Sequence, residues 1–297
     1  MPLIPFKKML DSALKHNFAV GYFQAWNQDS LEAILAAGEN TDSPLIVGFG
    51  GTYVNQEWFN QWGLEYSAAL GRIAVEKSKI PVCFILNEAE TYEQCLKGIK
   101  LGFNVVMLDS SYMPFEENLE INKKLVSVAH ADNVAVQAEL GRLPDGAKNT
   151  AGTLTDPDEA NEFVRETGID ALSVSIGNVH VLTRGKAAVD VALVKKIEDA
   201  VQIPLVIHGG TGFPPEAVKD VIHAGVALFH IGSILKIVYF NGLKEMIQSI
   251  ETPQDVQKLI GSREQEDFTT EGKKRITEKV IELMQLYNSE GKASLYI

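Results

Sequence analysis

Two of the chain's six histidines stand where apolar runs give way to polar residues: His180 in SVSIGNVH and His208 in PLVIHGGTG. An imidazole delivered beside a carboxylate is the raw material of a divalent metal site. The carboxylates come from PVCFILNEAE, where the apolar run 81–86 stops and Asn87, Glu88 and Glu90 follow within four positions. Asp109 and Ser110 follow NVVML, Glu139 closes AVQAEL, Gln24 and Asn27 follow AVGYF, and His230 sits in ALFHI. Glu90, Asp109, Glu139 and His230 are all groups able to move a proton. His16, His130 and His223 fall on helical stretches and read as ordinary packing or surface residues.

A second chemistry lies in the glycines. The run HGGTGFPPE (208–216) places Gly209, Gly210, Thr211 and Gly212 ahead of a helix, and Gly232-Ser233 does the same after ALFHI. Such turns let the backbone approach a ligand and offer free N–H groups to a phosphate. The bland alternative is that they are tight turns only.

These residues need elements to position them. Eight short apolar runs, at 19–23, 44–50, 81–86, 104–108, 135–140, 171–176, 204–208 and 227–231, alternate with stretches of helical periodicity. Strands apolar on both faces suit a parallel sheet covered by helices. Eight strand–helix units over residues 1–250 predict a single (β/α)8 TIM barrel, with a doubly wound open sheet as the alternative. Residues 251–297 predict a helical arm packed on the barrel or on a neighbouring subunit. Its short helix falls near 252–260 and its longer one near 271–289, with Ile276, Val280, Leu283, Met284 and Tyr287 on one face. The loops LPDGAKNTAGTLTDP and TRGKAAVD are candidate lids.

Composition excludes several classes. A net charge of −12 disfavours nucleic acid and anionic membrane as partners. There is no apolar run long enough to span a bilayer and no signal-peptide pattern. The two cysteines, Cys83 and Cys95, make neither a disulfide framework nor a metal knuckle, which predicts buried thiols in a reducing cytoplasm.

The segments NVVMLDSSYMPFEENL, VQAELGRL, FVRETGIDALSVSIGNVH and LVIHGGTG resemble the class II, metal-dependent ketose-bisphosphate aldolases over nearly the whole chain. The resemblance implies that His180 and His208 are two of three metal ligands. It places Glu139 and Asp109 beside the metal, and Gly177, Gly209, Thr211 and Ser233 at a ketose-phosphate and monovalent-cation site. It also implies a homodimer or homotetramer.

The departures concentrate on chemistry. The family's strand-three His-x-Asp-His is replaced by Ile85-Leu86-Asn87-Glu88. Glu88 with His180 and His208 would form a two-histidine, one-carboxylate site suited to zinc, manganese or cobalt. Asn87 cannot exchange a proton near neutral pH, although it can hydrogen-bond a substrate hydroxyl. Gln24 replaces the family's strand-one asparagine, His230 replaces a strand-eight asparagine that helps hold the substrate, Gln137 replaces the first glutamate of Glu-x-Glu, and Val181 replaces a glycine. The acidic mobile loop is reduced to Asp145. The expectation is a divalent-metal-dependent lyase that cleaves or forms a carbon–carbon bond in a phosphorylated ketose or related sugar. The alternatives are a metal-dependent isomerase or epimerase using the same enediolate, and a catalytically silent sugar-phosphate binding protein.

Overall fold

The computed structural model describes residues 3–144, 146, 151–179, 187–250 and 255–296. In chain order the first half runs α1 (Phe6–Lys15), β1 (Val20–Ala25), α2 (Gln28–Thr41), β2 (Leu45–Gly50), α3 (Gln56–Trp58), a π-helical turn (Phe59–Gly63), α4 (Leu64–Lys77), β3 (Val82–Ala89), α5 (Tyr92–Leu101), β4 (Val105–Leu108) and α6 (Phe115–Ala131). The second half runs β5 (Ala135–Leu140), α7 (Pro157–Thr167), β6 (Ala171–Val174), α8 (Val191–Val201), β7 (Leu205–Ile207), α9 (Pro215–His223), β8 (Val226–Ile231), α10 (Ser233–Ser249), α11 (Val256–Leu259) and α12 (Thr270–Leu286). The strands pair in order from β1 to β8, and β1 closes on β8 in parallel. This is the (β/α)8 TIM barrel that the alternation predicts.

Local signals set the helix ends. Asn27 and Ser30 form a capping box at α2, Thr91 caps α5, and Asp156 caps α7 with Pro157 at its first position. Gly102 and Gly168, both left-handed, end α5 and α7. Each strand buries both faces. Inward-facing Val20, Tyr22, Ile46, Cys83, Ile85, Val105, Val206 and Leu228 pack with Phe6, Met9 and Leu10 of α1, which closes the N-terminal end of the barrel. Outward-facing residues such as Val47, Phe84, Val136 and Phe229 pack under the helices.

Four strand ends differ from the sequence reading. β1 runs two residues past Phe23, to Ala25. β3 continues past Leu86 to Ala89, because a register shift against β4 between Leu86 and Ala89 accommodates Asn87 and Glu88 inside the strand. β6 and β7 stop at Val174 and Ile207, short of Ile176 and His208. At β6 the cause is Asn178, whose side chain accepts from the Ile176 N–H (2.8 Å) and donates to the Val174 carbonyl (3.3 Å). It thereby replaces ladder bonds with its own.

The C-terminal segment lies against α2 and α10. Ile276, Val280, Met284 and Tyr287 are buried there and Leu283 partly so, each full burial being worth about 1.5–3 kcal/mol. Glu32 of α2 receives Arg263 at 2.7 Å and Lys273 at 2.7 Å. Burial alone would raise the Glu32 pKa, but hydrogen bonds from Lys273, Arg263 and Gln28 outweigh it and hold the carboxyl below its ordinary value. No helix among the described residues is long and apolar enough to cross a membrane. Cys83 and Cys95 are buried free thiols, and burial pushes both pKa values up.

Candidate active site

The polar residues gather at the C-terminal end of the barrel, on top of the apolar filling. Gln137, Ser173, His208 and His230 form its floor, all buried. Gln137 reaches Met107 Sδ (3.2 Å) and Ser173 Oγ (3.3 Å), and the His230 ring tilts against Tyr22 with centroids 4.5 Å apart.

Above this floor stand two carboxylates. Glu88 sits in the β3 irregularity with φ 48°, a left-handed conformation that costs a non-glycine residue about 1–2 kcal/mol. Its Oε1 lies 3.4 Å from His208 Nδ1, and its Oε2 accepts a 2.9 Å hydrogen bond from the Asn87 amide. Glu139 Oε2 lies 3.2 Å from the same His208 nitrogen, and Glu139 Oε1 accepts from Ser111 at 2.9 Å. Burial pushes the Glu139 pKa well above the usual carboxylate range. The charges of Glu88 and Asp109 push the same way, against the Ser111 hydrogen bond. Asn118 donates to the Glu139 carbonyl (3.0 Å) and is itself tied to Ser110 and Asn122. This buried network fixes where β5 ends.

Buried oxygens without a hydrogen-bond partner among the described residues include Asn87 Oδ1 and Tyr22 Oη. Burial raises the Tyr22 pKa, and the Glu88 charge adds to it. The Asn87 side chain is bonded to Glu88, and the Tyr22 ring packs against His230.

The glycine side of the mouth is built from backbone. Gly177 has φ 100°, and a Cβ there would lie 2.0 Å from the Ala188 carbonyl oxygen, so only glycine fits. Gly209 (φ 69°) opens the short 3-10 turn Gly210–Gly212. A Cβ on Gly210 would press on Ile231 and the His230 carbonyl. Thr211 Oγ1 accepts from Ile234 N–H (3.3 Å), joining this turn to the start of α10 beside Gly232 and Ser233. The Gln24 amide lies between Gly50 and Gly232, whose added Cβ atoms would clash with it at 2.4 and 2.5 Å.

The structure thus brings together Asn87, Glu88, Glu139, His208 and His230, with Gln24 and the two glycine turns around them. Asp109 follows β4, half-buried, its N–H donating to the Ala89 carbonyl. Glu90 is exposed; its N–H bonds the Gln94 side chain, and its carboxylate contacts none of the cluster among the described residues. His180, Val181 and Asp145 lie outside the described residues, as do parts of both candidate lid loops. No group of three His, Cys, Asp or Glu side chains among the described residues is by itself arranged to hold a metal ion.

Two features escaped the sequence reading. Asn178 donates to the His208 carbonyl (2.9 Å) and so ties the end of β6 to that of β7. Lys236, in the first turns of α10, is exposed by area, yet burial of its ammonium lowers its pKa. That ammonium sits 6.0 Å from the Trp26 ring, in a cavity of about 90 Å³ shared with Gln24, Gly50, Tyr53 and Trp58. A lysine four positions after Gly232 is the signal that could have pointed there.

A parallel barrel with acid, imidazole and glycine turns at its strand ends defines an enzyme of the (β/α)8 class. The family model described as fructose-bisphosphate aldolase class-II matches residues 4–292. A fructose-bisphosphate aldolase of Geobacillus stearothermophilus is 33% identical over 297 residues, covering 99% of this chain and 100% of that one. A probable fructose-bisphosphate aldolase of Bacillus subtilis is 33% identical over 284 residues, covering 93% and 97%. Among solved structures, the YdjI aldolase from Escherichia coli K12 superposes with a TM-score of 0.82 at 28% identity, covering 98% and 100%. The chain belongs to the class II fructose-bisphosphate aldolase family and is a carbon–carbon lyase of that class.

Proposed function

We propose that the protein is a divalent-metal-dependent aldolase that cleaves or forms a carbon–carbon bond in a phosphorylated ketose or related sugar. The observation that carries this reading is His208 Nδ1, buried at 3.2 and 3.4 Å from the carboxylates of Glu139 and Glu88. A nitrogen facing two carboxylate oxygens is a donor set that suits zinc, manganese or cobalt. Glu88, His208 and His180 would hold the ion. When bound, it would polarise the substrate ketone and stabilise the negative charge that develops on bond cleavage.

The remaining roles follow from position. Asn87 holds Glu88 through its N–H and keeps its Oδ1 for a substrate hydroxyl. Glu139 is steadied by Ser111 from one side and through its carbonyl by Asn118. It is the residue to which we assign the proton transfer that Asn87 cannot perform, with Asp109, whose charge acts on it, in support. The turns at Gly177, Gly209–Thr211 and Gly232-Ser233 are the phosphate cradle, with a monovalent cation as a further occupant. Gln24 and His230 face the sugar. A homodimer or homotetramer in a reducing cytoplasm accords with the family and with two buried thiols.

The test is metal analysis of the purified protein, followed by turnover with a panel of ketose phosphates. The expected result is about one zinc, manganese or cobalt per chain and release of an aldehyde fragment. Solvent deuterium taken up at a retained carbon without aldehyde release would replace the lyase by an isomerase. Ligand-induced stabilisation with no turnover would leave a binding protein.

A further inference from the structure

Among the buried groups to which no chemistry has been assigned, the amide of Gln137 is the most constrained. It is fully buried between two imidazoles, with Nε2 3.0 Å from His208 Nε2 and Oε1 3.2 Å from His230 Nε2. The two rings stack on each other with centroids 4.1 Å apart and planes 22° from parallel. An amide has N–H groups on one arm and only lone pairs on the other, so its orientation decides which ring nitrogen donates and which accepts.

With the Gln137 N–H turned to His208, that ring's Nε2 accepts, and a neutral imidazole then carries its proton on Nδ1, facing Glu139 and Glu88. The Gln137 carbonyl accepts in turn from His230, whose proton is therefore on Nε2. Donation runs one way, from His230 to the amide and from the amide to His208.

With a cation held at His208, this direction would have to reverse. The nitrogen that faces the carboxylates is Nδ1, and a metal there needs its lone pair, so the proton of the neutral ring must move to Nε2. A buried N–H left without an acceptor carries the full desolvation penalty of that group. The partner already in place is Gln137, which can offer its carbonyl by turning over about its terminal torsion. The turned amide presents its N–H to His230 Nε2, which must now accept, and the His230 proton moves to Nδ1. Each ring keeps one proton throughout. We propose that Gln137 is a positioning residue that couples cation occupancy at His208 to the tautomer of His230. A glutamate at 137, which the family resemblance places there, would accept from both rings and could not transmit this polarity. The exchanges at 137 and 230 therefore belong together. The inference rests on His208 being a metal ligand.

The experiment uses the full chain with ¹⁵N-labelled histidine and two-bond ¹⁵N–¹H spectra, recorded without metal and with zinc ion alone. His208→Asn and His230→Asn identify the two rings. The expected result is His208 with Nδ1–H and His230 with Nε2–H before zinc, and both reversed afterwards. In Gln137→Leu, zinc affinity should fall about 10–100-fold, and the His230 tautomer should no longer respond to zinc. In Gln137→Glu, His230 should keep Nε2–H with and without the metal. That variant and the wild-type titration carry the test should the leucine form fail to fold. Zinc bound at His208 with the wild-type His230 tautomer unchanged would overturn the coupling and leave the metal reading standing. No zinc retained by the wild type would overturn both.

Discussion

The two sides of the barrel mouth are held by different means. Around β3, β5 and the base of β7, side chains hold side chains: Asn87 grips Glu88, Ser111 grips Glu139, and both carboxylates converge on His208. Around the turns after β6, β7 and β8 the work is done mainly by backbone, with Gly177 at φ 100° and Gly209 at φ 69°, joined by the Thr211 hydroxyl that accepts from the Ile234 N–H. Of the departures that the resemblance implies, Asn87, Glu88 and Gln137 fall on the first side; on the second, Gly177, Gly209 and Thr211 match the pattern while His230 and Val181 depart from it. A side chain can be exchanged within an unchanged backbone, and a strained glycine turn cannot. Under the proposed function, the side-chain half of this mouth carries the chemistry and the backbone half receives the phosphate.

The largest effect should come from the side-chain half. His208→Ala should lower turnover about 1,000-fold, equivalent to about 4 kcal/mol of barrier, while circular dichroism stays native. Retained turnover would remove His208 from the chemistry. On the backbone half, Gly177→Ala should cost about 2–4 kcal/mol of stability, read as a lower denaturation midpoint, because its Cβ would collide with the Ala188 carbonyl. A midpoint equal to wild type would mean that the turn yields, and the contrast between the halves would fail.

Asn87→Asp sharpens the comparison in the other direction. It returns an acid to β3, and cleavage of ordinary ketose bisphosphates should rise about tenfold or more. No gain, with metal bound, would point to a substrate of another kind. The smallest effect lies far from the mouth. Glu32→Gln removes the partner of Arg263 and Lys273 and should cost a few tenths of a kcal/mol at neutral pH. The folded-state pKa of Glu32 is lowered, so its contribution is present above the unfolded value and is lost as pH falls through the folded one. Wild type and variant should therefore differ at pH 7 and converge in acid.

Legibility in the sequence divides along the same line. The eight strands were readable because β-branched runs and helical periodicity are local, and AVQAEL is β5 residue for residue. Glycine turns were readable for the same reason. The continuation of β3 through Asn87 and Glu88 was not, since it depends on a register shift against β4. The Gln137 bridge spans 71 residues to His208 and 93 to His230. The tie from Asn178 to the His208 carbonyl is likewise a property of the closed barrel. No spacing rule predicts contacts of that kind.

Glu88 occupies a backbone conformation in which glycine would be more at ease. Selection for heat resistance alone should therefore drift away from glutamate at this position, and turnover would decline as melting temperature climbs. Under the proposed function, Glu88 is kept by its role at the metal against the grain of its own chain.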